Sequence, residues 1–475
     1  MNPLMQTDSY KLSHFNQYPD DTEGVFSYFE SRVGAEWNAT VFFGLSYLLR
    51  RYLSGRRVDM ASIATTEDFV GRHLGNPELF NRAGWEHIVK EHEGKLPLRI
   101  RAVREGSIIP VSNVMMTVEN TDPKCYWLTN YVESLLTHIW YPCTVATLSR
   151  AVRDDMANFM RDTADSMDPL KFMLHDFGYR GVSSEESAQL GGAAHLINFV
   201  GSDTIAGIEF AHDWYQGDYD DLAFSVPATE HSVMTSQGRE GEHELVDDLL
   251  RKHPTGILSV VADSYDIYSF VEHVCSRANE ILSRDGVFVV RPDSCTNDDK
   301  TPEDLSLTIL NRLWQTFDGE VNSKGYRVLD GHIRVLWGDG IDPEGIHRIL
   351  NRMKDQGWAA HNMIFGMGGG LLQKINRDTQ RFAFKASAIK RSGQWMNINK
   401  EPLDMSKASK KGRLSLVCEN GEYYTTSEEV PPGLDLLQDV FINGDVLEYP
   451  TFAEIRAYAD ASPISADYSR EKGVQ

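Results

Sequence analysis

From residue 170 onward, short apolar runs alternate with longer segments of helical spacing. Runs at 171–176, 196–200, 222–226, 256–262, 286–291, 332–337, 362–366 and 381–387 predict eight strands. Between them, 204–215, 231–251, 266–284, 302–317 and 343–357 place apolar residues three and four apart, the spacing of a half-buried helix. Strands alternating with helices predict a parallel sheet. Eight repeats over about 215 residues predict an α/β fold of the (β/α)8 barrel type. An open doubly wound sheet is the runner-up, although no G-x-G-x-x-G turn supports a dinucleotide fold.

The first 150 residues have a different rhythm. Val25–Phe29 predicts a strand, Phe42–Leu53 a helix ending at Gly55, and 96–118 strands broken at Gly106. Segments 125–140 and 144–160 predict two helices separated by Pro142. The tail, 388–475, is polar, contains the basic run Lys407–Arg413, and is expected to pack back on the N-terminal region. The expected organisation is therefore an α+β domain from 1–150, a barrel from 151–387 and a returning segment from 388–475. Residues 1–22, with Asp8, Tyr10, Lys11 and His14, have no core pattern and predict an arm lying on something else.

Charge narrows the function. Lys plus Arg is 47 and Asp plus Glu is 69, a net charge of −22. Such a surface repels nucleic acid and anionic membranes, so neither is an expected partner and any anion must meet a local cationic cluster. The five cysteines lack C-x-x-C spacing, which predicts a reducing compartment without a structural zinc site. No run has the length of a signal peptide core or a membrane span, and a cytoplasmic protein is expected.

Candidate chemistry recurs where the predicted strands end. Strand one runs into Asp176-Phe177-Gly178-Tyr179-Arg180, and the second is followed by Asp203. The third leads into Ser225-Val226-Pro227-Ala228-Thr229-Glu230-His231-Ser232, the fourth into Asp263-Ser264-Tyr265-Asp266, and the fifth into Arg291-Pro292-Asp293-Ser294. The sixth is followed by Gly338-Asp339-Gly340 and the seventh by Gly366-Met367-Gly368-Gly369-Gly370; Lys385 lies late in the eighth, with Arg377 before it. A lone strand-end Asp is usually a helix cap and a lone glycine run a plain turn. Polar residues at one end of almost every strand instead mark the face on which barrels build their sites. Gly368 and Gly369 let backbone N–H groups approach a phosphate. Arg180, Arg291, Arg377, Lys385 and His231 supply more cationic donors than one phosphate needs. Phe177 offers a flat face for a ring, Asp203 and Asp293 can accept from an amide, and Asp339 can accept from sugar hydroxyls or help to hold a divalent ion. A ring, a ribose and several phosphates point to nucleotide chemistry. A metal-assisted hydrolase built on Asp263 and Asp339 is the alternative class, and a non-catalytic binding protein a third.

These same motifs, with Thr7-Asp8-Ser9-Tyr10-Lys11, Glu119-Asn120-Thr121-Asp122-Pro123, Gly368-Gly369-Gly370-Leu371-Leu372-Gln373-Lys374 and Lys410-Lys411-Gly412-Arg413-Leu414-Ser415-Leu416, resemble the nicotinamide phosphoribosyltransferase family, in order over nearly the whole chain. The resemblance implies a type II phosphoribosyltransferase that makes nicotinamide mononucleotide and diphosphate from nicotinamide and phosphoribosyl pyrophosphate, with Mg2+. It implies a homodimer with the site at the subunit interface, in which Phe177 and Tyr10 of the partner subunit sandwich the nicotinamide beside Asp8, and Asp203 receives the carboxamide. It implies further that Arg180, His231 and Arg291 contact the diphosphate, with Arg291 and Asp293 also bordering the nucleotide. Gly338 and Asp339 would then hold the ribose, and Gly369 and Arg377 the 5′-phosphate; Ser225, Asp263, Gly368 and Lys385 complete the expected substrate-binding set. His231, Asp293 and Arg291 are the expected catalytic residues, with His231 phosphorylated by ATP; the resemblance names no magnesium ligands. Nicotinate phosphoribosyltransferase is the nearest alternative. Cys295 and Met367 depart from the family pattern, where glycine and serine are common; Met367 would remove a hydroxyl near the phosphate.

Overall fold

The computed structural model describes residues 2–294, 300–338, 340–400, 409–431 and 433–461. The chain divides into two compact units, one from 148–213 and 217–375, the other from 1–147, 214–216 and 376–475.

The first unit is built on six parallel strands: Leu174–Asp176, Gly201–Ser202, Leu258–Val261, Phe288–Arg291, Ile333–Trp337 and Met363–Met367. Their hydrogen-bonded order is 201–202, 174–176, 363–367, 333–337, 288–291, 258–261. Leu258–Val261 is buried throughout, and Phe288–Arg291 at every position but the last, as strands covered on both faces require. The two edge strands meet on segment 224–229. On one side Phe224 N–H donates to the Val200 carbonyl at 2.6 Å and Ser202 N–H to the Phe224 carbonyl at 3.2 Å. On the other, Ser259 N–H donates to the Pro227 carbonyl at 2.9 Å and Thr229 N–H to the Ser259 carbonyl at 3.0 Å. Only isolated bridges form here, at Phe224 and Ala228, because Pro227 has no N–H to continue a ladder.

The expectation of eight barrel strands is corrected. Segment 196–200 is the end of helix Glu185–His195 and the turn after it, and the paired residues are Gly201–Ser202. The eighth predicted strand belongs to the other unit. Its sequence explains this: Ala383–Arg391 mixes exposed and buried positions, the pattern of an antiparallel strand with a solvated face.

Helices Ile267–Ser276, Pro302–Phe317 and Pro343–Asp355 follow the strands and begin on side-chain caps. Asp266 accepts from the Tyr268 and Ser269 N–H groups at 3.0 and 3.1 Å, Thr301 from Asp304 at 3.2 Å, and Asp342 from Gly345 at 2.8 Å. Pro302 and Pro343 open their helices, where a missing N–H costs nothing. Asp263 and Asp293 cap none of these helices.

The second unit holds a seven-stranded sheet, in the order 394–397, 383–391, 22–30, 114–120, 98–102, 438–442, 445–446, antiparallel at every pair. Ala383–Arg391 pairs with Thr22–Glu30, placing Lys385 opposite Tyr28. It turns back through Ser392 and Gly393, both at positive φ (45° and 77°), a two-residue hairpin that the sequence Ser-Gly favours. The tail strand Gln438–Ile442 pairs with Leu98–Ala102. From the basic run, Lys410 pairs with Glu30, and Arg413 with Glu119 at 3.0 Å.

Helix Trp140–Thr163 runs straight through Pro142, correcting the expected break: starting at Trp140, it places the proline in the first turn, where no intrahelical donor is needed. The N-terminal arm forms 3-10 turns at Pro3–Met5 and Ser9–Asn16. Thr7 donates to the Tyr131 carbonyl at 2.7 Å, Lys11 pairs with Glu133 at 2.6 Å, and Asp8 bonds Ser134. Among the described residues, no helix is long and apolar enough to cross a membrane.

Candidate active site

Strand Leu174–Asp176 ends on a fully buried carboxyl. Asp176 Oδ1 accepts from Gly178 N–H at 2.7 Å, which pins the turn. Burial pushes this carboxyl up to about 6, against the pull of the Gly178 N–H and the Thr204 hydroxyl and with help from the Asp203 carboxylate. Asp176 thus holds the backbone, and Arg180 is exposed.

That turn delivers Phe177. Its N–H donates to the Met367 carbonyl at 3.0 Å, and its ring lies over Gly366, where a Cβ would collide with it. At Gly338 a Cβ would stand 3.6 Å from the ring and 3.2 Å from Asp293 Oδ1. The Arg291 guanidinium sits 6.0 Å from the ring centroid. Phe177 is therefore a shelf across the ends of two neighbouring strands, with a cation at its rim.

Arg291 closes strand Phe288–Arg291. Its Nη2 donates to the Thr229 carbonyl at 2.7 Å, while Nε is buried without a hydrogen-bond partner. Burial pulls the guanidinium pKa down, opposed by the carboxylates of Asp293, Asp203 and Asp263 and reinforced by Arg180. A guanidinium stays protonated regardless, so this is a desolvated, directional cation.

His231 opens the short helix His231–Met234 between two carboxylates. Its Nε2 lies 3.3 Å from Asp263 Oδ1 and its Nδ1 3.9 Å from Asp293 Oδ2. The Ser294 hydroxyl donates to the other oxygen of Asp263. His231 is 48% exposed and Asp263 9%, so a nearly buried acid orients a ring that solvent and substrate can reach. Nearby, the Ser225 hydroxyl donates to Asp203 Oδ1 and leaves the rest of this exposed carboxylate as an acceptor.

Gly368 precedes the turn Gly369–Leu372. A Cβ at Gly369 would meet nothing within 4 Å, whereas one at Gly370 would meet the Ile341 carbonyl at 2.8 Å. Gly369 is thus the open point of the loop. Gly181 lies against it, which brings the Arg180 turn to the glycine loop. Met367 is fully buried against Gly370, its side chain turned inward.

Phe177, Arg180, Asp203, Ser225, His231, Asp263, Arg291, Asp293, Gly338, Gly368 and Gly369 all belong to the parallel-sheet unit. Asp8, Tyr10, Arg377 and Lys385 belong to the other unit. Tyr10 is 60% exposed. Arg377 reaches Asp378 at 3.3 Å. The Lys385 amine is pulled down by burial, which Glu133 opposes and Arg32 reinforces. Asp339 and Cys295 lie outside the described residues. Sequence reasoning passed over Gly366, Thr229 and Ser294 as site residues, although all three stand inside the strand-end motifs. The site joins a ring shelf, two arginines, a glycine loop and a carboxylate-flanked imidazole, the equipment to hold an aromatic base beside a polyphosphate.

The Nicotinate phosphoribosyltransferase (NAPRTase) family model matches residues 172–445, and that of the Nicotinamide phosphoribosyltransferase, N-terminal domain, matches residues 2–100. The chain is 44% identical to a nicotinamide phosphoribosyltransferase of Xanthomonas campestris pv. campestris (strain 8004), over 98% of this chain and 99% of that one. It is 33% identical to a nicotinamide phosphoribosyltransferase of Mycoplasma genitalium, over 86% and 94%. Two solved structures share the fold at 16% identity: nicotinate-nucleotide pyrophosphorylase from Pyrococcus furiosus, with TM-score 0.61 over 96% of this chain and 95% of that one, and human nicotinic acid phosphoribosyltransferase, with TM-score 0.56 over 96% and 93%.

Proposed function

The chain belongs to the nicotinamide phosphoribosyltransferase family, and on that premise we propose that it joins nicotinamide to phosphoribosyl pyrophosphate, releasing diphosphate and forming nicotinamide mononucleotide for NAD biosynthesis. The observation that carries this reading is the Phe177 shelf over Gly366, with the Arg291 cation at its rim.

The pyridine nitrogen attacks the ribose C1 as diphosphate departs. Its lone pair is already free, so no general base is required. Negative charge grows on the leaving diphosphate, and Arg180 and Arg291 meet it; a desolvated, preorganised donor counts for most where charge develops. Stacking on Phe177 and the Asp203 acceptor align the ring, and Gly368 and Gly369 cradle phosphate. Mg2+ takes oxygen ligands, and the Asp263 and Asp293 carboxylates that flank His231 would hold it. When bound, the ion supplies further neutralisation of the leaving group.

ATP acts through His231. Its γ-phosphoryl group passes to a ring nitrogen, ADP leaves, and water later releases phosphate. Asp263 on Nε2 leaves Nδ1 as the freer nitrogen. His231→Ala should abolish ATP hydrolysis and ATP stimulation; ADP release and initial rates with and without ATP decide it, and retention of both in the variant would refute this role. The enzyme is read as a homodimer in which Tyr10 of the partner subunit covers the open face of the base. Cys125, Cys143, Cys275 and Cys418 are free thiols, which suits the reducing cytoplasm.

Nicotinate is the competing substrate. An ionised Asp203 accepts from a carboxamide N–H2 and repels a carboxylate. Asp203→Asn should therefore move the ratio of kcat/KM for nicotinamide and nicotinate toward nicotinate by about tenfold or more, the scale of one altered polar contact. An unchanged ratio would remove Asp203 from the specificity argument. Turnover of phosphoribosyl pyrophosphate with each base, with and without ATP, tests the whole reading; preference for nicotinate would overturn it.

A further inference from the structure

Within the antiparallel-sheet unit, far along the chain from the strand-end motifs, two histidines, an aspartate and a cysteine converge. His87 sits on helix Arg82–Glu91 and His92 caps its C-terminal end. Asp122 and Cys125 bracket the 3-10 turn that follows strand Val114–Asn120. Asp122 is held from behind: Oδ1 accepts from Lys124 N–H at 2.8 Å and its carbonyl from Asn120 at 2.8 Å. Its other oxygen faces both imidazoles, with each Nε2 at 2.7 Å. The rings stand at 72° to each other, their centroids 5.7 Å apart. Cys125 is fully buried. All four potential ligand atoms lie within 4.8 Å of one another.

A histidine–aspartate–histidine hydrogen-bond cluster needs no thiol, and a core thiol needs no imidazoles. Two nitrogens, one oxygen and one sulfur around a common centre are the donor set of a closed tetrahedral site for Zn2+, while Mg2+ and Ca2+ prefer oxygen alone. In such a site neighbouring donors stand about 3.4–3.8 Å apart, so closure on an ion needs side-chain shifts of the order of 1 Å. Two neutral imidazoles, a carboxylate and a thiolate also balance the ion's charge, as a half-buried site requires. Against the expectation drawn from cysteine spacing alone, we propose that His87, His92, Asp122 and Cys125 form a structural Zn2+ site that ties the end of helix Arg82–Glu91 to the turn after strand Val114–Asn120.

Binding sends the Cys125 thiol proton to solvent. The site is separate from the proposed transferase chemistry and is tested without it.

Full-length protein without a polyhistidine tag, stripped by a chelator, is titrated with Co2+ in excess Mg2+. One equivalent should bind with a thiolate-to-cobalt charge-transfer band, and Zn2+ should displace it and raise the thermal midpoint. Cys125→Ser, nearly isosteric, should lose that band. His92→Gln, whose amide can still donate to Asp122, should weaken Zn2+ binding by at least about tenfold, since loss of even an outer partner of a metal ligand costs that much. Absence of the band in the parent protein, or unchanged Zn2+ affinity in both variants, would overturn the site.

Discussion

Arg291→Ala should lower kcat by about 10²–10³-fold, the loss typical of one preorganised donor at a centre of developing charge. Three features make this arginine the most sensitive side chain in the site. Its Nη2 is held by the Thr229 carbonyl, so the fork is oriented before substrate arrives. Its Nε is buried and unpaired, a donor with nothing to give up. Burial outweighs three nearby carboxylates in setting its pKa, so the charge acts in a poorly screened surrounding. Arg291→Lys keeps the charge and loses the fork; it should recover less than a tenth of the lost rate (roughly, for a bidentate contact), because a compact ammonium lacks the rigid planar fork that spans Thr229 and a phosphate oxygen side by side. Steady-state kcat and KM for phosphoribosyl pyrophosphate, with thermal midpoints as the control for folding, decide both. A Lys variant at parental rate would show that only net charge matters at this position.

Gly366→Ala should cost about 10²-fold in kcat/KM for nicotinamide, the penalty for displacing a reactive group by about 1 Å. A single methyl group there occupies the space of the Phe177 ring. The ring cannot slide away freely, because its backbone N–H is fixed to the Met367 carbonyl and the next turn is pinned by Asp176. The base should therefore bind askew, while binding of phosphoribosyl pyrophosphate changes little. Phe177→Ala combined with Gly366→Ala separates the effects: once the ring is gone the methyl group has nothing to strike, and the second change should add little. Full additivity would place the harm of Gly366→Ala in the strand and not in the shelf.

The strand-end motifs were legible because their chemistry is local. Asp176-Phe177-Gly178-Tyr179-Arg180, Arg291-Pro292-Asp293 and the three glycines each combine a turn with a charge or an open backbone, and the parallel-sheet unit gathers them. Burial and strand partners were less legible. Asp176 stands at a strand end like the other polar candidates, yet it is fully buried and accepts from the backbone two residues on. Counting apolar runs promoted 381–387 to an eighth barrel strand and carried Lys385 with it. The mixed exposure of that strand and its Ser-Gly turn were the signals for an antiparallel hairpin. Gly366 was hidden for a simpler reason: its importance is the absence of a side chain where another residue's ring must lie.

The joint at 224–229 has a consequence for how the protein loses and keeps its activity. Two isolated bridges around a proline join the sheet edges there, where the other strands share ladders. Such a seam opens at a lower free energy than the molecule as a whole. The same segment carries Ser225 and Thr229 and runs directly into His231, so one local fraying event releases the hydrogen bonds of both Asp203 and Arg291. Gentle warming should silence the enzyme while its sheets remain folded. A ligand spanning Arg291 and Asp203 then acts as a clasp, slowing amide exchange along the seam by as much as it favours the closed form.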